Sequence, residues 1–550
     1  MAEWTIRYRP TRRGKIGAHL SISNGEPMKR SRTGRILAAS AAFPALLLGT
    51  GGAAPAAANT LTLTALNRSG GKVAISATVV NVDSRFQYTV KTGTPKTLPK
   101  GTYAVLMQIN TGSTTTLGGT AVQVSGSTKL TVDARKGKRV GLALSPTPAW
   151  LPHQITARVC AQSSPSYYVE GYGDQVYVIP SSSKKVSFGA LGWWTDMTGT
   201  TDSYAVLNQT TAGVPSSPTR TYAKSALAHV LVDSRRGPGG ANFSDVAVQP
   251  AADGCGSESF AELVTSDVPT TSTLHLSPTS WSVRSDEFAT AKATGNSLDI
   301  GGYSTVRKVA AGKSYGIRFY GATWGPGRSL PYIAGGTLTY TMNDGFEDPA
   351  LPDGYGSVEG GDKATAALKF NGKTVKIKKD TGWMPTETYI SYDVKKSGWF
   401  TLTNVATRYD PDFTYPAGML STASVATFCF PAKPKTNVLA PVYALQMVPA
   451  GLDHYNRAKP KSTTNVAFRL SRDSLPDLIA GKNPTVKSVT AKMSADGGKT
   501  WRSVPVKKIG GGWVALVGNP SGGAVSLLAR ATYTSGAYTE VAVYRAYGIG

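Results

Sequence analysis

The sequence predicts an all-β chain, built as several antiparallel β-sandwich domains in series. Three observations point to this class. Short segments rich in Val, Thr, Tyr and Ile alternate apolar with polar residues, as half-buried strands do. Gly, Asn, Ser and Pro punctuate these segments at short intervals. Long stretches with a 3.6-residue apolar period are hard to find.

The chain has 550 residues and a formal net charge of +26. Residues 1–27 lack apolar periodicity and read as an extension upstream of a true start at Met28. Thr11-Arg12-Arg13 is similar to a twin-arginine export signal, but no apolar stretch follows it at the right distance. Residues 28–58 read as a secretory signal peptide. Lys29, Arg30, Arg32 and Arg35 form a basic head, and residues 36–48 are apolar except for Ser40 and Pro44. A small-residue tail follows, with cleavage expected after Ala58. The apolar run is too short to span a bilayer, and no second one suggests a transmembrane anchor. The expectation is a secreted, extracellular protein.

Residues 1–58 hold nine Lys/Arg and two Glu, which leaves +19 of the +26 on the remaining 492 residues. That length suits about three domains. The charge favours an anionic extracellular polymer, such as a cell-wall glycan or teichoic acid, as partner. Two patches are dense. One is Arg135-Lys136-Gly137-Lys138-Arg139; the other comprises Lys373, Lys376, Lys378 and Lys379. Each sits in or beside a strand-like segment, where lysines also serve to guard an edge. No recognised nucleic-acid fold motif accompanies the charge, so nucleic acid is not an expected partner.

Residues 59–148 carry seven alternating segments and predict a first sandwich. Leu61-Thr62-Leu63-Thr64-Ala65-Leu66 alternates cleanly, and a turn at Pro99-Lys100-Gly101 precedes the strand 103–109. Residues 149–435 form a longer, Tyr- and Trp-rich central region of one or two domains. Within it, Asn371-Gly372 reads as a tight hairpin turn. Residues 431–435, with two prolines, are the best linker. Residues 436–550 alternate again and predict a C-terminal immunoglobulin- or fibronectin-like sandwich.

Two stretches resemble a known family. Leu98-Pro99-Lys100-Gly101-Thr102-Tyr103, with Leu130-Thr131-Val132-Asp133-Ala134-Arg135-Lys136, resembles the prealbumin-like domain of secreted bacterial subtilisin-like serine peptidases. Ser494-Ala495-Asp496-Gly497-Gly498-Lys499-Thr500-Trp501, Gly512-Trp513, residues 523–527 and Arg545-Ala546-Tyr547-Gly548 resemble the C-terminal end of those enzymes. Residues 441–445 and Leu452-Asp453-His454-Tyr455-Asn456 fit the same region. The likeness covers the two ends well and the middle loosely. It implies an accessory portion without the protease domain. No histidine after residue 58 precedes Gly, and no Gly-Thr-Ser follows the signal peptide. The resemblance also implies a secreted peptidase as an alternative partner.

Several motifs carry competing readings. Gly312-Lys313-Ser314-Tyr315-Gly316 matches the GxSxG nucleophile elbow, which needs its serine between a strand and a helix. Alternation begins at Tyr315, so Ser314 opens a strand instead, although His454 leaves a Ser…Asp…His order formally available. No catalytic residue is assigned. Ser494-x-Asp496-x-Gly498-x-Thr500-Trp501 matches the Asp-box, and a single copy reads as a self-capping turn rather than a propeller blade. Asp344, Glu347, Asp348 and Asp353 share one Gly/Pro-rich loop whose oxygens suit calcium, without EF-hand spacing; Asp410 and Asp412 are a weaker version. Calcium is the one cofactor candidate. Trp193-Trp194, near Tyr167, Tyr168, Tyr172 and Tyr177, suits either sugar stacking or core packing.

Of the three cysteines, three pairings are open. Cys160 and Cys255 lie in the same predicted domain and are the expected disulfide, with Cys429 left as a thiol. The leading function is a secreted, non-catalytic binding or adhesion module. The alternatives are an extracellular hydrolase with its site in residues 149–435, and an inhibitor or pseudo-subunit of a secreted peptidase.

Overall fold

The computed structural model describes residues 59–148, 153–195, 202–238, 240, 243–251, 254–256, 259, 261–292, 294–343, 345–351, 354–357, 362–380, 388–434, 437–472 and 482–550. The signal-peptide reading and its cleavage site fall outside them. The chain is all-β: among the described residues there is no α-helix, only the single 3-10 turns Ala134–Lys136 and Lys224–Ala226. Several sandwiches follow one another along the chain, and most of their strand pairs are antiparallel.

In the first sandwich, strand Thr60–Leu66 buries Leu61, Leu63 and Ala65 and turns its threonines away from that core. It pairs in parallel with Ser127–Asp133. The facing sheet runs Gln87–Lys91, Ser76–Asn81, Gly101–Thr111, Thr114–Val124, Val176–Val178, Lys138–Arg139. Strand Gly101–Thr111 is buried without alternation from Tyr103 to Met107, because both its faces are covered. Tyr103, Val105, Met107 and Ile109 fill the first core. Ala104 and Leu106 join Ile155, Ala157 and Val159 in a second core. A continuous apolar run is what such a doubly covered strand requires. The second core therefore cements the first sandwich to the region after residue 148. Strand pairing crosses that position as well, since Gly141–Ser145 lies parallel to Thr219–Ala223.

The second sandwich faces a seven-stranded sheet with a five-stranded one. The larger sheet runs Ser164–Tyr172, His153–Ala161, Val186–Trp194, Asp202–Thr210, Thr270–Leu276, Ala228–Ser234, Ser314–Phe319. Cys160, on His153–Ala161, is bonded to Cys255 in the connection after Phe243–Pro250; Cys429 is a half-buried thiol. Gly189 permits this crossing, because a Cβ there would stand 2.4 Å from the Gly256 nitrogen. The bond spans a sequence separation of 95. Closing a loop of that size stabilises by about 4–5 kcal/mol in the chain-entropy account. The Cys160→Ser, Cys255→Ser double variant should lose stability on that scale in urea titration. Cys429→Ser should stay within about 1 kcal/mol of the parent.

The C-terminal part has one nine-stranded sheet, which includes Lys373–Asp380, Asp362–Phe370, Gly398–Arg408, Ala423–Ala432, Tyr538–Ile549, Gly523–Tyr533, Val486–Ser494 and Arg502–Val504 in that order. Two four-stranded sheets belong with it, one centred on Thr337–Thr341 and one on Thr463–Ser471. The Tyr340 ring meets Phe428 at 5.6 Å, and Tyr443 meets Tyr533 at 5.9 Å. Ala423–Ala432 pairs antiparallel with Tyr538–Ile549, so residues on either side of position 435 share this sheet.

Candidate binding surface

Ser314 opens strand Ser314–Phe319 at one edge of the seven-stranded sheet and is exposed. No helix follows it, so the strand-to-helix elbow is not formed. Opposite it stands His229, whose ring meets His275 edge-on at 4.8 Å. His275 Nε2 lies 2.9 Å from Asp202 Oδ1, and its ring stacks on Tyr204 at 4.5 Å. Burial lowers the His275 pKa, against the pull of Asp202, and so favours the neutral imidazole. His454 belongs elsewhere. Its Nδ1 lies 3.0 Å from Asp233 Oδ1, and Asp233 is opposite Arg318, four residues along the strand from Ser314. That offset is about 13 Å.

Of the acidic loop, Asp344 and Asp353 lie outside the described residues. Glu347 accepts from Gln446 Nε2 at 2.9 Å and from Arg328 Nε at 3.3 Å. Asp348 is fully buried and accepts from the backbone N–H groups of Gly321 at 3.0 Å and Ala350 at 2.8 Å. Burial pushes its pKa up to about 7, against those donors. Both carboxylates thus face N–H donors within the protein. Among the described residues, no group of three or more His, Cys, Asp or Glu is arranged to hold a metal. Asp410 accepts the Asp412 N–H at 2.7 Å, which closes a local turn.

Trp193 and Trp194 point to opposite faces of strand Val186–Trp194, as neighbours in a strand must. Trp194 is buried and stacks on His153 at 4.3 Å, while Trp193 packs against the core on the other side. They do not form one stacking platform. Tyr168 lies under Arg158 and Tyr177 under Arg68, at 4.1 and 3.9 Å; Tyr172 is exposed.

The Asp-box is a closed turn. Asp496 Oδ1 accepts from Ser494 Oγ at 2.6 Å and from the Thr500 N–H at 2.9 Å, and Ser494 Oγ accepts the Gly498 N–H at 2.9 Å. These donors hold the Asp496 carboxyl well below the usual carboxylate range. Trp501 meets Tyr544 edge-on at 6.1 Å.

The two basic patches differ. In the first, Arg135 is paired with Asp133 at 2.8 Å and Arg139 donates to the Asp174 carbonyl at 2.9 Å. In the second, every residue from Lys373 to Lys379 is exposed, including Val375 at 36 % and Ile377 at 59 %. Asn371 and Gly372, both at positive φ (45° and 83°), turn the chain into this strand. Among the described residues it is the terminal strand of the nine-stranded sheet. Its inner neighbour, Asp362–Phe370, adds the exposed Lys363 and Lys369. Leu368 opposes Lys376 and Lys369 opposes Thr374, so Val375 bulges. From Lys376 onward the register is regular, with Lys376 and Lys378 on one face and Ile377 and Lys379 on the other. Spacing alone had marked the four lysines of this strand; the pairing adds Lys363, Lys369 and the two exposed apolar residues.

No family model and no curated protein matches the chain. The solved structures that match include two of weak likeness. The FN1–FN3 domains of chicken CNTN1 align at 13% identity, over 55% of this chain and 90% of that one, with a TM-score of 0.13. A Streptococcal ancillary pilin aligns at 10% identity, over 47% of this chain and 98% of that one, with a TM-score of 0.12. Scores this low define no shared fold.

The lysine strand has the chemistry of an anion-binding surface: closely spaced ammonium groups in water, on a backbone fixed by its sheet. Such contacts are weak singly and act by number. Among the described residues no helix is long and apolar enough to cross a membrane.

Proposed function

We propose that this chain is a secreted, non-catalytic binding protein whose sandwiches hold a lysine-rich strand against an anionic extracellular polymer. The observation that carries the reading is the strand Lys373–Asp380, with four lysines exposed at the end of a nine-stranded sheet. The overall positive charge, the signal-peptide pattern of residues 28–58 and the disulfide support it. So does the resemblance of both ends to accessory regions of secreted peptidases.

Two measurements test it. Protein recovered from culture medium should begin at Asn59; a chain retaining residues 1–27 would remove the export part of the reading. Purified protein should bind wall teichoic acid or polyglutamate with an affinity that falls as salt rises. Replacing Lys373, Lys376, Lys378 and Lys379 together by Ser should weaken that binding roughly ten-fold or more, at about 0.2–1 kcal/mol for each exposed pair. Stability should change by less than about 0.5 kcal/mol, since all four side chains are in solvent. Unchanged affinity in the Ser variant would defeat the proposal.

A further inference from the structure

We propose that the partner at this strand is an extended acidic polypeptide segment, added edge to edge as a further strand of the nine-stranded sheet. The inference rests on the binding reading above and names the class of anion. Lys373–Asp380 is the terminal strand of that sheet among the described residues, so its outer edge offers backbone N–H and C=O groups to another chain. Strand addition takes its affinity from such main-chain hydrogen bonds and its specificity from alternate side chains. A polysaccharide can use the lysines but not the edge.

The side chains select the occupant. Lys376 and Lys378 share one face, and Ile377 and Lys379 share the other. A segment alternating Glu and Val would oppose carboxylates to Lys376 and Lys378 and an apolar side chain to Ile377, which is 59 % exposed. Exposed apolar side chains on an edge invite self-pairing, and here the lysines oppose it. A second copy of the strand would set ammonium groups against ammonium groups, which is unfavourable across a ladder. The charge that rejects a second copy attracts an acidic strand. The bulge at Val375 restricts regular pairing to the part of the strand from Lys376 onward.

A short capped peptide of alternating Glu and Val is the probe, compared with the same peptide N-methylated at alternate residues. Methylation removes backbone donors and leaves every charge in place. The unmodified peptide should bind at least ten-fold more tightly, and only it should slow amide exchange in residues 376–380. Equal binding of the two peptides, both lost in the four-lysine Ser variant, would overturn strand addition and leave anion binding standing. Peptide binding unaffected by the Ser variant would overturn both. The probe is added to the whole protein as recovered from culture medium.

Discussion

Glu287→Gln should remove a stability loss that the parent protein suffers as pH rises from about 5 to 8. Glu287 is buried on strand Ser280–Thr290, and its Oε1 accepts the Gly237 N–H at 2.7 Å. Burial raises its pKa to about 8, with the Gly237 donor and the Arg408 charge opposing. The site is tight: a Cβ on Gly237 would lie 1.9 Å from Glu287 Oε2. In the unfolded chain the group titrates near 4.5, the ordinary value for glutamate. Between these two values the folded state holds a proton that the unfolded state has released. Stability therefore falls with rising pH through that window and levels off above about 8. Each pH unit inside it costs about 1.4 kcal/mol, so the total is on the order of 4 kcal/mol. This is the reverse of an ion-paired carboxylate, whose contribution appears as pH rises. Gln keeps the acceptor for Gly237 and carries no titration. Urea titrations of both proteins at pH 5 and pH 8 report Glu287 together with its electrostatic coupling to the buried Asp348. The variant should gain on the parent at pH 8 relative to pH 5; parallel curves would show that Glu287 ionises normally.

That residue also shows what was legible in the sequence. Trp281, Val283, Ser285 and Glu287 share one parity on their strand, and all four are buried. Alternation alone places Glu287 inward, so this position is legible in the sequence. The same rule separates Trp193 from Trp194, which composition had grouped as a cluster. Local chemistry was well marked. The positive-φ turn at Asn371-Gly372, the Ser494–Asp496–Thr500 turn and the alternation of residues 60–66 each depend on neighbours in sequence. Long-range pairing left no such mark. Val176–Val178 joins a sheet formed mainly from residues before 145, and Ala423–Ala432 joins Tyr538–Ile549. A strand's pattern shows which face is buried, not which distant strand lies beside it. The lysine strand was visible as composition, but its place at the end of a sheet belongs to topology.

Asn456→Ala should cost roughly 5 kcal/mol. Asn456 is buried at the end of the segment 452–456 and holds three parts of the chain together. Its Oδ1 accepts from the Ala322 N–H at 3.0 Å and from Arg235 Nη1 at 3.4 Å. Its Nδ2 donates to the carbonyls of Tyr320 at 2.9 Å and Arg236 at 3.1 Å. Arg235 in turn donates to the Leu452 carbonyl at 3.0 Å, which closes the arrangement. Alanine leaves these buried donors and acceptors without partners, at about 1–3 kcal/mol each and less than additively. It must also adopt φ near +58°, where asparagine is tolerated and alanine is strained by about 1–2 kcal/mol. Glycine separates the two causes. Asn456→Gly relieves the backbone but not the lost hydrogen bonds, so it should recover only that last 1–2 kcal/mol. Asn456→Asp keeps the acceptor for Ala322 and Arg235 but sets a carboxylate oxygen against the carbonyls of Tyr320 and Arg236, so it should not restore the parent's stability. If urea titration finds the alanine variant within about 1 kcal/mol of the parent, the polar bridge contributes little. The apolar core common to these sandwiches would then be what holds segment 452–456 against residues 235–236 and 320–322.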